Sequence, residues 1–163
     1  MYTIKKYKDE WKNRYVAAHH EWSKGEYPTA YANGFWTPPV FPKVDTSAGL
    51  TNAVIKFIIW SGYNADRTNT QGRLVDAPQK QDSGNVLTVK KYIKSANRRG
   101  TADIGATIKG RSVKIEIKVG KDKPSQYQQD EQVRERKAGG VYEFIKTMDE
   151  FINWYDNFLL SLK

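Results

Sequence analysis

The stretch Gly100-Thr-Ala-Asp103-Ile-Gly-Ala-Thr-Ile108-Lys-Gly110-Arg-Ser-Val-Lys-Ile-Glu116-Ile-Lys118 decides the fold. Its apolar residues alternate twice, as Ala102, Ile104, Ala106 and Ile108 before Lys109-Gly110 and as Val113, Ile115, Ile117 and Val119 after it. A period of two marks strands with one buried face, and the interruption marks a tight turn. With Lys109 and Gly110 at the centre of a hairpin, the register pairs Ile108 with Arg111, Ala106 with Val113, Ile104 with Ile115 and Asp103 with Glu116. The apolar side chains then share one face, and two acids meet on the other. The turn is the soft point, since Lys is a poor first residue for a type I′ turn and a longer turn would shift the pairing.

Like charges directly opposed on an antiparallel pair destabilise it. Lys118, two residues beyond Glu116 and on the same face, offers one ammonium to two carboxylates. A divalent cation held by both acids compensates more completely, and Mg²⁺ favours one or two carboxylates with water and a substrate phosphate. The plainer reading is a Glu-x-Lys on a solvated strand face, which is common on protein surfaces. Three neighbours weigh against it: Gly100 three residues before Asp103, the run Gly120 to Gln128 after the second strand, and Gly139-Gly140 beyond the next helix.

An Asp, a Glu-x-Lys on the following strand and a helix carrying Gln together resemble the PD-(D/E)xK nuclease superfamily. The finer pattern resembles its VRR-NUC branch, in the small stand-alone form of phage and bacterial genomes. The matching elements are Gly100-Thr101-Ala102-Asp103, Glu116-Ile117-Lys118, Ser125-Gln126-Tyr127-Gln128 and Gly139-Gly140, spread over roughly residues 50 to 146. Ala102 stands where the family has Pro, and the first core helix offers Thr51 and Asn52 where many members have a metal-binding Glu. The resemblance implies a restriction-endonuclease-like α/β fold. It also implies Mg²⁺ or Mn²⁺ held by Asp103, Glu116 and the Ile117 carbonyl, with Lys118 and Gln128 at the catalytic centre. Arg67, Asn69 and Gly72 match a run of the stand-alone members near the substrate; the simpler reading is a strand-end arginine and a turn glycine. Members of that family often act on branched DNA such as flaps or four-way junctions, some as homodimers, and the resemblance implies the same preference here.

A chain of 163 residues fits one compact unit, and 39% hydrophobic with 28% charged residues is ordinary for a globular protein. A net charge of +9 is not ordinary and points to a polyanionic partner, DNA ahead of a membrane, since no long apolar segment stands out. The absence of cysteine excludes disulfides and thiolate metal sites and suits a reducing cytoplasm, that of a bacterial host if the chain is phage-encoded. Met1-Tyr-Thr-Ile-Lys-Lys has charge with no apolar run behind it, so no signal peptide is expected.

Residues 1–49 read as an N-terminal helix and an arm packed on residues 50–163, the nuclease-like unit. Ile4, Tyr7, Trp11, Tyr15, Ala18 and Trp22 recur at helical steps, predicting a helix from about Thr3 to Trp22 stopped by Gly25. His19 and His20 point to different sides of it and are assigned to the surface. Glu26 to Asp45, rich in Pro and aromatics, should lie extended over its own core or against a second subunit. Leu50 to Trp60 reads as a core helix capped by Thr46 or Ser47, Tyr63 to Asn69 as a first strand, Val75 to Asn85 as a loop, and Val86 to Ile93 as a short strand or helix end. Lys90, Lys91, Lys94, Arg98 and Arg99 lead into Gly100 and are candidate phosphate contacts, as is Arg73. Ser125 and Gln128 form a capping box that opens a polar, outward-lying helix; Ser125 joins the candidate DNA contacts because a helix start presents N–H groups to anions. Val141 to Ile145 is a fourth strand, and Thr147 to Glu150 caps a last helix whose apolar stripe serves the core or a dimer.

The expected architecture is therefore α/β, a small mixed four-stranded sheet flanked by helices, and the expected activity is metal-dependent hydrolysis of DNA phosphodiesters. Two rivals stand beside it: a DNA-binding module of the same fold that does not cut, and an assembly protein whose acids are ordinary surface charge.

Overall fold

The structure is a computed structural model describing residues 6–68, 73–80, 86–93 and 98–163. In chain order its elements are α1 (Glu10–Glu26), α2 (Pro28–Ala32), α3 (Ser47–Trp60), β1 (Asn64–Arg67), β2 (Arg73–Lys80), β3 (Val86–Ile93), β4 (Ile104–Ile108), β5 (Arg111–Ile117), α4 (Gln126–Lys137), β6 (Val141–Ile145) and α5 (Met148–Ser161). Four strands form one sheet in the order β1-β4-β5-β6, antiparallel except for the last pair, while β2 and β3 form a separate two-stranded ribbon.

The hairpin takes the register its sequence dictates, with Ile108 opposite Arg111, Ala106 opposite Val113 and Ile104 opposite Ile115. Lys109 and Gly110 have φ of 50° and 76°, the double positive φ of a type I′ turn. The twist of the paired strands thus overrides the poor preference of lysine for that position. Ile104, Ile108, Val113, Ile115 and Ile117 are all buried on one face, against Leu50, Val54, Phe57 and Ile58 of α3 and Met148, Phe151, Ile152 and Tyr155 of α5. The stripe of α5 therefore serves the core. β5 and β6 are parallel, and α4 supplies the long crossover that neighbouring parallel strands need.

α4 has no apolar stripe because the face it covers is the hydrophilic one. Glu131 of α4 is buried, and Gln132 Nε2 donates to the Tyr142 carbonyl of β6 at 2.9 Å. The expectation of an outward-lying helix holds for Tyr127 and Val133, both exposed, and fails for this inner, polar side. Its end is a Schellman motif, with Gly140 N–H bonded to the Glu135 carbonyl and Gly139 N–H to that of Arg136.

Four expectations are corrected at the N-terminal end: both bounds of α1, the place of His19, and the wholly extended course of the arm. α1 begins at Glu10, because Asn13 closes the preceding chain through its side chain, Oδ1 accepting from Tyr7 N–H at 2.7 Å and Nδ2 donating to the Tyr7 carbonyl at 3.0 Å. It also runs through Gly25 to Glu26; Tyr27, held outside helical geometry before Pro28, ends it. His19 is not a free surface residue, for its ring lies among Trp22, Trp36 and Trp60, with centroids 5.8, 6.0 and 4.6 Å away. The arm includes the short helix α2, and Phe41 packs edge-on against Tyr7 and Trp11 at 4.9 and 5.6 Å, so it lies on its own core.

The expected loop from Val75 is also corrected. Residues 73–80 are a strand paired with β3, Pro78 opposite Thr88, and residues 81–85 lie outside the described residues. A two-stranded ribbon has no core face to impose alternation, and proline is tolerated on its unpaired edge, so neither sign of a strand reached the sequence.

Candidate active site

β5 sends Lys114, Glu116 and then Lys118 to the face opposite the core. Glu116 and Lys118 are each only 5% exposed. Glu116 Oε1 accepts from Lys118 Nζ at 3.1 Å and from Gln128 Nε2. Glu116 Oε2 is buried with no hydrogen-bond partner. Lys118 Nζ also reaches Asp122 Oδ2 at 3.2 Å, a third carboxylate that nothing in the local pattern singled out.

Asp103 sits one step beyond the last β4–β5 pair, on the Glu116 side. Its Oδ2 accepts the Ile117 N–H at 3.0 Å, where a strand carbonyl would otherwise sit, and its own carbonyl accepts the Thr68 N–H at 2.8 Å. The carboxylate is thereby fixed beside Glu116, with Oδ1 accepting no hydrogen bond from the described residues.

Gln128 joins two functions in one amide. Its Oε1 accepts the Ser125 N–H at 2.9 Å, while Ser125 Oγ accepts the Gln128 N–H at 3.4 Å, completing the capping box. Because the cap demands the acceptor end, the amide is oriented with Nε2 toward Glu116, the end a carboxylate needs. Tyr142 of β6, fully buried, donates its hydroxyl to the Gly100 carbonyl at 3.0 Å and ties the segment leading to Asp103 to the far edge of the sheet.

Burial pushes the Glu116 carboxyl up to about 7; the nearby charge of Asp103 adds to this, and the hydrogen bond and charge of Lys118 offset it in part. Burial pulls the Lys118 ammonium down, but Glu116 and then Asp122 more than compensate, so it stays above its ordinary value and protonated at neutral pH. Burial, then the charges of Glu116, Asp103 and Glu131, hold the Tyr142 hydroxyl protonated.

Two carboxylates carrying partnerless oxygens, one of them buried, fit a hard divalent cation, which takes oxygen ligands. Among the described residues no three His, Cys, Asp or Glu side chains gather to hold a metal; the residues that could hold one here are the two acids, Asp103 and Glu116. Thr51, which with Asn52 occupies the place on the first core helix where a further metal-binding acid was looked for, is buried and bonded back to the Ser47 carbonyl at 2.7 Å, within its own helix.

The other candidate contacts divide by position. Arg67 pairs with Ile104, so it shares the core-side face at the end of β1, away from the carboxylates. Asp66, opposite Gly105, takes the carboxylate face instead, a placement that needs the β1–β4 register to be seen. Lys90 and Lys91 are exposed on the ribbon, opposite Asp76 and Val75. Arg98 lines a groove of about 490 Å³ with Thr101, Lys114, Glu131, Arg134 and Glu135, next to the site. Lys114 and Arg134 there are neutralised by Glu135 and Glu131, which leaves Arg98 as the cation of that groove with no acidic partner among the described residues. Arg99 lies against Tyr127. Ser125 is taken up by the cap, Arg73 is placed by its backbone opposite Ile93, and Asn69, Gly72 and Lys94 lie outside the described residues.

No family model matches the chain, and a search of the curated proteins found no match. No helix among the described residues is long and apolar enough to cross a membrane.

Proposed function

We propose that this chain is a metal-dependent nuclease that hydrolyses DNA phosphodiester bonds, with Asp103, Glu116 and the Ile117 carbonyl as the ligands of Mg²⁺ or Mn²⁺. The observation that carries the reading is Glu116: a buried carboxylate with one oxygen unpaired, beside a second carboxylate, with a protonated lysine and a donating glutamine on its other oxygen. A buried acid in such company is costly for a purely structural protein, and perturbed acids cluster at functional sites. The ordered set Asp, Glu-x-Lys, Ser-x-x-Gln and Gly-Gly, and the net charge of +9, support the same reading.

When bound, the cation supplies Lewis-acid polarisation of the phosphate and a more acidic attacking water. The residues of the chain do the rest. Asp103 is held by the Ile117 N–H, so its free oxygen keeps a fixed position. Gln128 and Lys118 hold Glu116 Oε1 and leave Oε2 as the ligand oxygen. Lys118, being protonated, orients the water and stabilises negative charge developing on the phosphate, and does not serve as the base. Preference for branched DNA, and a homodimer, are the further expectations of the resemblance.

The test is cleavage of linear duplex, flap and four-way-junction DNA with Mg²⁺ and Mn²⁺. Asp103→Asn, Glu116→Gln and Lys118→Met are each expected to lose at least about 100-fold in rate, the scale of removing one group that stabilises transition-state charge, while DNA binding persists. Binding with no cleavage by the unaltered chain in either metal would establish the non-cutting module instead. Weak binding that salt hardly changes would establish the assembly protein, since phosphate contacts make affinity fall steeply with salt.

A further inference from the structure

We propose that Tyr127, with Arg99 laid against it, is a stacking platform for an unpaired base beside the scissile phosphate, and that it favours DNA with single-stranded nucleotides over continuous duplex. The proposal rests on the nuclease reading and names a recognition element for it. Tyr127 is 54% exposed on a helix whose outer side is otherwise nearly all polar. The Arg99 guanidinium carbon lies 5.3 Å from its ring centroid, and Nη1 donates to the hydroxyl at 3.1 Å. At an exposed site such a pair stabilises the fold little, so stability does not account for a large ring left in water.

Its position relative to the carboxylates is fixed from both sides. Tyr127 directly precedes Gln128, whose amide holds Glu116. Arg99 directly precedes Gly100, where φ is +86° and an added Cβ would stand 2.2 Å from the Tyr127 carbonyl oxygen. The segment carrying Arg99 is thus pressed onto the first turn of α4, and the Tyr142 hydroxyl pins the same segment at the Gly100 carbonyl. Bases stack on tyrosine rings and on guanidinium planes with little regard to sequence. Within a continuous duplex both faces of a base are already covered by its neighbours; an unpaired base has a face to offer.

Binding and cleavage by the whole chain are measured separately, on a duplex carrying one unpaired 2-aminopurine at a flap base and on the fully paired duplex. Without divalent metal, the unaltered chain is expected to bind the unpaired substrate more tightly and quench its fluorescence. Tyr127→Ala is expected to lose roughly 5- to 100-fold in affinity for it, the range of one lost base–aromatic stack, and little for the paired duplex, whereas Tyr127→Phe and Tyr127→Trp keep the preference. Equal losses on both substrates, no loss at all, or Tyr127→Phe behaving like Tyr127→Ala would overturn the platform. Should the chain cut no DNA while Tyr127→Ala still abolishes the preference, the nuclease reading falls and the platform stands; should it cut with an unaltered preference in Tyr127→Ala, the reverse holds.

Discussion

Replacing Glu116 by Gln in the metal-free protein should raise its stability at pH 8 and leave it nearly unchanged at pH 4 and below. Burial raises the folded-state carboxyl to about 7 from an ordinary 4.5. The folded protein therefore holds this proton more tightly than the unfolded chain, so the contribution of Glu116 is most favourable below 4.5, declines as pH climbs to 7, and stays at its minimum above. A shift of that size corresponds to about 3 kcal/mol at roughly 1.4 kcal/mol per pH unit. For a chain of this length that is roughly 6–12 °C in Tm. Gln keeps an oxygen for the Lys118 and Gln128 donors, and Lys118 retains Asp122, so the substitution mainly removes the buried charge. His19, held below its ordinary value by burial and by the charges of Lys56 and His20, works in the opposite sense and gains stability as pH rises. The quantity to follow is accordingly the difference between the two proteins, by urea or thermal unfolding in EDTA from pH 4 to 8. A difference that does not vary with pH would refute the reasoning, because Glu116 would then carry its charge at no cost. Adding Mg²⁺ at pH 8 should stabilise the unaltered protein and not the variant, if the proposed ligands are right.

Gly100→Ala should lower stability by at least about 1–2 kcal/mol, the cost of a side chain in the left-handed region, and more because its Cβ would meet the Tyr127 carbonyl at 2.2 Å; unfolding curves no different from those of the unaltered chain would count against the packing described. Lys109→Asn should stabilise the hairpin by a few tenths to about 1 kcal/mol, since Asn tolerates the φ of 50° that lysine holds there; a lower Tm in that variant would contradict the turn assignment.

Much of this follows from short-range patterns. The hairpin register was legible because its partners lie close in the chain and both faces alternate without interruption, which left the turn length as the one open variable. The caps at Thr46, Ser125 and Thr147 were legible for the same reason: each joins residues three apart, and each side-chain oxygen accepts the N–H that its spacing implies. The ribbon of β2 and β3 was not legible, having no buried face to write a period into the sequence. Nor was the aromatic seat of His19, which rings from α1, the arm and the end of α3 build together.

By itself the sequence determined two strands with one apolar and one polar face, because a strand's period of two sorts the side chains; the turn length it left open was settled at two residues by the structure, and that length brings Asp103 beside Glu116. Tertiary structure alone decided that Gln128 would face Glu116, that Tyr142 would hold Gly100, and that Glu116 would be buried enough to keep its proton near neutral pH. Those facts depend on the crossover that lays α4 over the polar face and β6 alongside β5. Desolvation is imposed by whichever elements arrive there, and no spacing within the strand encodes it.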